Sequence, residues 1–348
     1  MRTRFQTGWR ATRQHAGIAA LALLSACGGG GTEIEAAPAA RVEAATAPLA
    51  RHAARAWRRQ GVTAIAASSD GKLLAVAQAD GSVRVLDADT RVERTTLQDT
   101  NAGAVAGLVF LADAHTLVAV HRDSTVRLWN AATGSPGPVL HGHEQPLRAV
   151  AASADGALIA TGGDETRVLL WDGSTGRLRR VLTGATDFAN GLSVSRDGRW
   201  VASAGADGQV RVWNAATGKL VAALRGHADE ALAAAFSPDA TLLASAGADG
   251  KVLLWRFPAG GAPRILRAGG AAALSLAFDA DGGVVVAGSA DGRVTGWATT
   301  AAGTSQQVTA GASPVNALVF SVLAQRELLV GDATGGVSSL GVAVGASR

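Results

Sequence analysis

The chain is poor in cysteine, proline, tyrosine and phenylalanine. The shortages of cysteine and proline exclude some classes of protein. The chain has one cysteine in 348 residues, no tyrosine, seven phenylalanines and nine prolines. The lone Cys27 excludes an internal disulfide and leaves no cysteine cluster to bind zinc. Because 44 glycines accompany the few prolines and 48% of the residues are hydrophobic, the composition suits short strands and tight turns rather than disorder.

The basic character of the chain is confined to its first residues. The formal net charge is +4, from 32 Lys and Arg against 28 Asp and Glu. Residues 1–26 contain four of the arginines and no acid, so the rest of the chain is neutral, with 28 residues of each sign. A neutral body offers no broad phosphate-binding surface, and we expect no nucleic-acid partner.

The main feature of the sequence is a repeat of 42 or 43 residues. Its clearest copy is Leu243–Trp255, which reads as two short strands joined by a turn at Asp249 and Gly250. Seven copies end on a bulky apolar residue: Leu86, Trp129, Trp171, Trp213, Trp255, Trp297 and Leu340. Six residues before each stands a turn residue: Asp80, Asp123, Glu165, Asp207, Asp249, Asp291 and Thr334. One hairpin cannot bury its own apolar face, so the repeats must pack on one another.

Each repeat is long enough for four strands, and the array fills residues 49–348. In the fifth repeat we expect strands at 231–237, 242–246, 252–256 and 263–267. Too few residues follow Leu340 for a fourth strand, whereas Leu49–Trp57 precedes the first repeat. We therefore predict that Leu49–Trp57 pairs with the last repeat and closes a ring, which removes two exposed sheet edges. The alternative is an Arg-faced helix near a membrane surface, because four arginines lie at helical spacing: Arg51, Arg55, Arg58 and Arg59.

The first 48 residues predict export and membrane anchoring. Residues 1–26 read as a signal peptide, with arginines, an apolar run from Ala16 to Leu24 and small residues. The sequence from Leu24 to Cys27 resembles the bacterial lipobox, whose cysteine is lipidated after cleavage, and more than one acyl chain anchors a protein firmly. Residues 27–48 then hold the lipidated Cys27 and a flexible tether. Because Gly28 rather than Asp follows the cysteine, we expect the outer membrane, facing the periplasm. An ordinary cleaved signal with an incidental cysteine is the alternative.

The repeats resemble the WD-repeat family of β-propellers over residues 49–348. The matching motifs are Gly142-His143, Gly226-His227, the Asp-Gly turns, and the sequences VRLWN, VLLWD and VRVWN around Trp129, Trp171 and Trp213. The resemblance implies an all-β fold, a seven-bladed β-propeller of four-stranded antiparallel blades.

The resemblance also implies a buried set of four hydrogen-bonded residues in a blade. The fifth repeat holds all four types: His227, Ser245, Asp249 and Trp255. The third holds a partial set with Glu at the Asp position: His143, Thr161, Glu165 and Trp171. The fourth has Ala185 at the His position. These departures put the polar network of a blade in doubt, not the fold.

No motif in the chain predicts chemistry. His227, Ser245 and Asp249 are the residue types of a hydrolase triad, but their repeat positions explain them and no nucleophile elbow accompanies them. No zinc spacing surrounds His143, and no phosphate-binding loop is present. We therefore predict no catalysis, no cofactor and no metal. The alternative is an envelope propeller enzyme or cofactor-binding protein with an unrecognised site.

One rim of the ring is the candidate binding surface. The loops after the second and fourth strands of each repeat share this rim, which commonly binds partners in WD-repeat proteins. Nine chemically distinctive residues cluster there on repeats two to five: Arg122, Glu144, Arg148, Asp164, Asp187, Phe188, Asn190, Asp229 and Glu230. Phe188 is the candidate anchor, because an aromatic residue on a polar rim often anchors a partner. We predict a monomeric, membrane-anchored protein–protein interaction scaffold with an unidentified protein partner. Ordinary solvated loops are the alternative.

Overall fold

Short apolar runs separated by turn residues form strands of four to six residues along the chain. The computed structural model describes residues 61–99, 103–300, 305–321 and 327–341, and within these ranges every regular element is a strand. The strands form seven antiparallel sheets, each built from strands consecutive in sequence. We number these sheets along the chain as blades 1 to 7. The predicted all-β, seven-bladed propeller is confirmed.

Each blade uses its strands in the same order, from the centre of the ring outward. The innermost strands are β1 (Val62–Ala67), β5 (Val105–Phe110), β9 (Leu147–Ala152), β13 (Ala189–Val194), β17 (Ala231–Phe236), β21 (Ala273–Phe278) and β25 (Val315–Phe320). The second strands are β2 (Leu73–Gln78), β6 (Thr116–His121), β10 (Leu158–Gly163), β14 (Trp200–Gly205), β18 (Leu242–Gly247), β22 (Val284–Ser289) and β26 (Glu327–Asp332). The third strands are β3 (Val83–Asp87), β7 (Val126–Asn130), β11 (Val168–Asp172), β15 (Gln209–Asn214), β19 (Lys251–Arg256), β23 (Arg293–Ala298) and β27 (Val337–Gly341). The outermost strands are β4 (Glu93–Leu97), β8 (Pro136–Leu140), β12 (Leu178–Leu182), β16 (Leu220–Arg225), β20 (Arg264–Arg267) and β24 (Ser305–Thr309).

The hairpin of the second and third strands is the centre of each blade. In blade 5, Leu243 of β18 lies opposite Trp255 of β19. The turn between them closes at Gly250, whose φ of 72° falls in the left-handed region that glycine adopts without strain. Both strands are almost fully buried, because neighbouring blades cover both faces of the hairpin. The outermost strands are exposed, as in β12, where only Leu182 is buried.

The core lies between adjacent blades rather than inside any one of them. Leu170 and Leu182 of blade 3, for example, pack with Leu192 and Trp213 of blade 4. Trp200, which the repeat pattern leaves unexplained, packs edge-on against Phe257 of blade 5 with ring centroids 5.2 Å apart. Fully burying a Leu or Phe side chain contributes roughly 1.5–3 kcal/mol, so the blade-to-blade contacts stabilise the ring.

Blades 1 and 7 meet and close the ring. Val62 and Leu86 of blade 1 share a buried cluster with Leu329 of blade 7. The amide of Asn316 donates a hydrogen bond of 3.0 Å to the carbonyl oxygen of Val62, and Arg91 forms an ion pair of 3.3 Å with Glu327. Blade 7 has three described strands. Leu49–Trp57, the segment predicted to add the fourth, lies outside the described residues, as does Cys27.

Candidate functional site

The four polar residues of blade 5 form one directed chain of hydrogen bonds. The indole Nε1 of Trp255 donates to Ser245 Oγ at 3.2 Å, and Ser245 Oγ lies 2.9 Å from His227 Nε2. His227 Nδ1 lies 3.0 Å from Asp249 Oδ1. A carboxylate can only accept, so His227 Nδ1 is the donor to Asp249; with a neutral imidazole the Ser245 hydroxyl then donates to Nε2. The side chains of His227 and Ser245 are fully buried. This burial closes the hydroxyl to a substrate, and the set therefore ties the turn to the sheet.

Asp249 is held ionised by this arrangement. Burial alone would raise its pKa, but hydrogen bonds from the Ala228 N–H, from His227 and from the Lys251 N–H stabilise the charge. The pKa of Asp249 is thereby lowered to about 2. Stabilisation of the charged form in the folded state makes Asp249 a pH-dependent contributor to stability.

Blade 3 makes the same chain with Glu at the Asp position. Trp171 Nε1 donates to Thr161 Oγ1 at 2.7 Å, Thr161 Oγ1 lies 2.6 Å from His143 Nε2, and His143 Nδ1 bonds Glu165. The second oxygen of Glu165 accepts from the guanidinium of Arg167 at 2.7 Å. Burial lowers the pKa of His143 despite the carboxylate beside it. The hydrogen bond between His143 and Glu165 shows that Glu at the Asp position still reaches the histidine.

Blades 2 and 4 lack this histidine and use an arginine in its place. In blade 4, Arg211 donates to both oxygens of Asp207, at 3.1 and 2.6 Å, and to Thr186 Oγ1 at 2.7 Å. In blade 2, Arg127 donates to Asp123 at 3.0 Å and also bonds Asp99. In blade 4 the indole of Trp213 donates to the carbonyl oxygen of Thr183 rather than to a serine.

Sequence reasoning missed these arginines, although the signal was present. Two residues before the terminal Trp, the blades with the His carry leucine, at Leu169 and Leu253, whereas blades 2 and 4 carry Arg127 and Arg211. The leucine fills the space beside the Gly of the Gly-His pair, as Leu253 does beside Gly226. In blades 3 and 5 a histidine, packed beside a leucine, binds the turn carboxylate. In blades 2 and 4 an arginine at the leucine position binds it instead.

A ring of β-bulges places one side chain from each blade at the mouth of the central channel. In every blade the pairing of the innermost and second strands shifts at the second residue of the innermost strand, which is left unpaired. A bulge redirects the side chain of its extra residue. These seven residues line a cavity of about 440 Å³: Thr63, Ala106, Arg148, Asn190, Leu232, Leu274 and Asn316. Arg122 lines it as well.

Five of the nine predicted rim residues form one chain of contacts beside this cavity. Arg148 bonds Asp164 through Nε and Asn190 Oδ1 through Nη1, the latter at 3.3 Å. Arg122 pairs with the other oxygen of Asp164 at 3.6 Å. The amide nitrogen of Asn190 donates to Glu230 at 3.2 Å. The chain therefore crosses blades 2, 3, 4 and 5.

Phe188 contacts this chain of residues through Arg148. The Arg148 guanidinium lies 5.6 Å from the centre of the Phe188 ring, in the geometry of a cation–π contact. The Phe188 residue is 40% exposed. It is the only residue among the exposed large hydrophobic side chains of the described ranges that belongs to the predicted rim set.

The remaining three predicted rim residues lie outside this chain. Glu144 pairs with Arg167 at 3.3 Å, and its side chain is 78% exposed. Asp187 and Asp229 each accept a hydrogen bond from the next residue's backbone N–H, at 2.8 Å in both cases. They act locally in their loops.

Two further features of the described residues concern metal ions and membranes. No group of three or more His, Cys, Asp or Glu side chains among them is placed to hold a metal ion. Nor do these residues include a helix of the length and hydrophobicity needed to cross a membrane.

Comparison with known families agrees with the repeat geometry. The profile described as "WD domain, G-beta repeat" (WD40) matches six segments that together cover more than half of the chain: 52–87, 92–130, 134–172, 176–214, 218–256 and 265–297. The chain belongs to the WD40 family. Blade 7 is the WD40 repeat that the profile does not match, and it carries Leu340 at the Trp position and Thr334 at the Asp position. In its turn Asp332 accepts from the Thr334 and Gly336 N–H groups instead.

The curated relatives match only a short stretch of the chain. The angio-associated migratory cell protein of Homo sapiens is 44% identical over 70 residues, which is 19% of this chain and 16% of that protein. The proteins of the same name from Pongo abelii and Canis lupus familiaris are each 43% identical over 70 residues. The match spans 16% of the length of these relatives, so it does not transfer a function.

Proposed function

We propose that this WD40 propeller is a protein–protein interaction scaffold that binds its partner at the rim of blades 2 to 5. The WD40 propeller fold is typical of such scaffolds. In this proposal the chain is monomeric and performs no catalysis, since the triad-like residues of blade 5 are buried within the blade.

The observation that carries the proposal is the Phe188 ring exposed on a connected polar surface. Arg148, Asp164 and Asn190 hold one another through side-chain contacts across blades 3 and 4. A surface fixed before binding loses less conformational entropy when a partner docks. Aromatic side chains, Phe included, are enriched at the centre of protein–protein interfaces, where a few anchors carry most of the binding energy.

The test is site-specific photocrosslinking in cells. A benzophenone amino acid replaces Phe188 in one variant and Ile265 in another. Ile265 is a matched control, because it is a 55% exposed apolar residue on the outermost strand of blade 5. We expect a discrete crosslinked protein at position 188 that is absent at position 265, and Phe188→Ala should abolish its co-purification. Equal crosslinking at both positions, or none at position 188, would show that the partner does not bind at the rim of blades 2 to 5.

The second part of the proposal is anchoring to the bacterial outer membrane, facing the periplasm, through lipid on Cys27. It is supported by the single cysteine directly after Leu24-Ser25-Ala26, behind an Arg-rich start and an apolar run. We expect Cys27→Ala to abolish palmitate labelling and to release the protein from membranes, whereas Ser25→Ala should retain both. Unchanged fractionation of Cys27→Ala together with an unlabelled wild-type protein would end this part.

A further inference from the structure

The cavity at the channel mouth carries positive charge and no negative charge of its own. Its ionisable lining groups among the described residues are the guanidinium groups of Arg122 and Arg148. Both guanidinium groups pair with one carboxylate, that of Asp164. The next carboxylate, Glu230, contacts the amide of Asn190 and makes no direct ion pair with either arginine among the described residues. The rest of the lining is amide, hydroxyl and apolar, from residues such as Asn316, Thr63 and Leu232.

Several hydrogen-bond donors at this cavity are unused. Within the described part of the chain, Arg122 makes its ion pair at 3.6 Å and no hydrogen bond through its guanidinium. Arg148 uses Nε and Nη1, which leaves Nη2 available. The hydroxyl of Thr63 is buried and has no hydrogen-bond partner among the described residues. The accessible guanidinium groups of Arg122 and Arg148 therefore offer donors to a ligand that accepts hydrogen bonds.

We propose that the cavity binds the carboxylate of a glutamate or aspartate side chain in a peptide segment of the partner. This inference rests on the proposed function and names the chemistry of its partner. A guanidinium group donates two parallel hydrogen bonds to a carboxylate, and such pairs are stronger than neutral hydrogen bonds. The cavity of about 440 Å³ is large enough for a side chain and its backbone. Phe188, which contacts Arg148, is placed to pack against an apolar neighbour of the acidic residue.

The test measures binding of defined peptides to the purified full-length protein by fluorescence anisotropy. The probe is a labelled, C-terminally amidated peptide of alternating glutamate and alanine. Its glutamine and lysine analogues test the charge, and an uncharged peptide with a free C-terminus tests a terminal carboxylate as the source. We expect saturable binding of the glutamate peptide, weakened by salt. We expect no binding of the other three.

Three substitutions assign the binding to the cavity. Arg122→Gln and Arg148→Gln should each weaken binding of the glutamate peptide by about tenfold. Arg199→Gln is the matched control, because Arg199 lies on the opposite rim and also makes a long ion pair and a cation–π contact, with Asp197 and Trp200. It should leave the affinity unchanged. Because Arg122 makes no hydrogen bond through its guanidinium among the described residues, Arg122→Gln should melt like the wild type. This variant keeps the test valid if Arg148→Gln unfolds.

The inference is overturned if the glutamate peptide does not saturate at millimolar concentration, if the glutamine or lysine peptide binds as well, or if Arg199→Gln has the same effect. Binding of only the free C-terminus would overturn the side-chain assignment. These outcomes are separate from the crosslinking result. A crosslink at position 188 without glutamate binding leaves the rim as the partner site and removes only the acidic ligand.

Discussion

At the scale of single residues, the turn carboxylates decide how firmly each hairpin is held. Asp249 is 7% exposed and receives hydrogen bonds on both oxygens. Asp291 occupies the same repeat position in blade 6, is 31% exposed and is contacted only by Arg293 among the described residues. We therefore expect the same residue type at the same repeat position to contribute more stability in blade 5 than in blade 6.

We expect Asp249→Ala to lower the free energy of unfolding by about 1–3 kcal/mol, because it leaves the buried His227 and the Ala228 N–H without their acceptor. Asp291→Ala should cost less, since its partners reach water. Chemical denaturation of both variants measures the difference. Equal losses would show that the blade 5 chain does not stabilise the fold.

The pKa of Asp249 predicts a dependence of stability on acid. Its folded pKa of about 2 lies below the ordinary value of 3.8, so its contribution is complete above pH 4 and is lost as the pH falls towards 2. Asp249→Asn cannot titrate. The stability difference between wild type and Asp249→Asn, measured by urea unfolding, should therefore be largest near neutral pH and shrink below pH 4. A difference that stays constant down to pH 2 would contradict the assigned pKa.

At the scale of one blade, the turn carboxylate is bound in two alternative ways. One uses a histidine with a leucine beside it, and the other uses an arginine at the leucine position. Both satisfy a turn carboxylate that the fold places at the buried end of a hairpin. Blade 4 already has Ser203, Asp207 and Trp213, so it lacks only the histidine and its leucine.

We expect Arg211→Leu to destabilise the protein by about 1–3 kcal/mol, because Asp207 loses two hydrogen bonds. Adding Ala185→His should restore part of this loss by building the chain seen in blade 5. A double-mutant cycle measured by unfolding should give a favourable coupling of about 0.5–3 kcal/mol between the two substitutions. Simple additivity would mean that the two solutions are not equivalent.

At the scale of the whole molecule, stability depends on closure of the ring. An open ring would expose the buried faces of blades 1 and 7. Blade 7 approaches blade 1 closely at Gly331, where an added Cβ would lie 2.7 Å from side-chain carbons of both Val62 and Ile65.

Gly331→Ala therefore tests closure with a single methyl group. We expect it to destabilise the protein by about 1–3 kcal/mol through overpacking at the blade 7–blade 1 contact. Gly296→Ala is the control, because its Cβ would make only ordinary contacts, at 3.4 Å or more, within blade 6. Thermal unfolding that shifts equally in both variants would contradict closure at this contact.

The closing strand itself remains a prediction. Deletion of residues 49–57 should lower the melting temperature of the whole domain, because it leaves edges of blade 7 unpaired. Deletion of residues 28–45 should change it little. If both truncations melted alike, Leu49–Trp57 would not be the fourth strand of blade 7.

Repetition along the sequence determined the architecture of this protein. The 42-residue period and the alternation of apolar runs with Asp-Gly turns predict seven blades, and the structure has seven sheets. The resemblance to the WD-repeat family, applied in this register, implied that His227, Ser245, Asp249 and Trp255 would meet, and the structure brings them together. The strand and turn pattern is local, and the sequence repeats it seven times.

Only the tertiary structure decided how the rim and the channel mouth are built. Strand alternation alone does not place Arg148 and Asn190 beside the channel; the bulge in each innermost strand breaks that alternation. The contact of Arg148 with Asn190 joins residues of different blades, and Arg211 reaches back to the turn of its own blade. Long polar side chains take partners according to the distances that packing leaves, and a pattern of hydrophobic residues does not encode those distances.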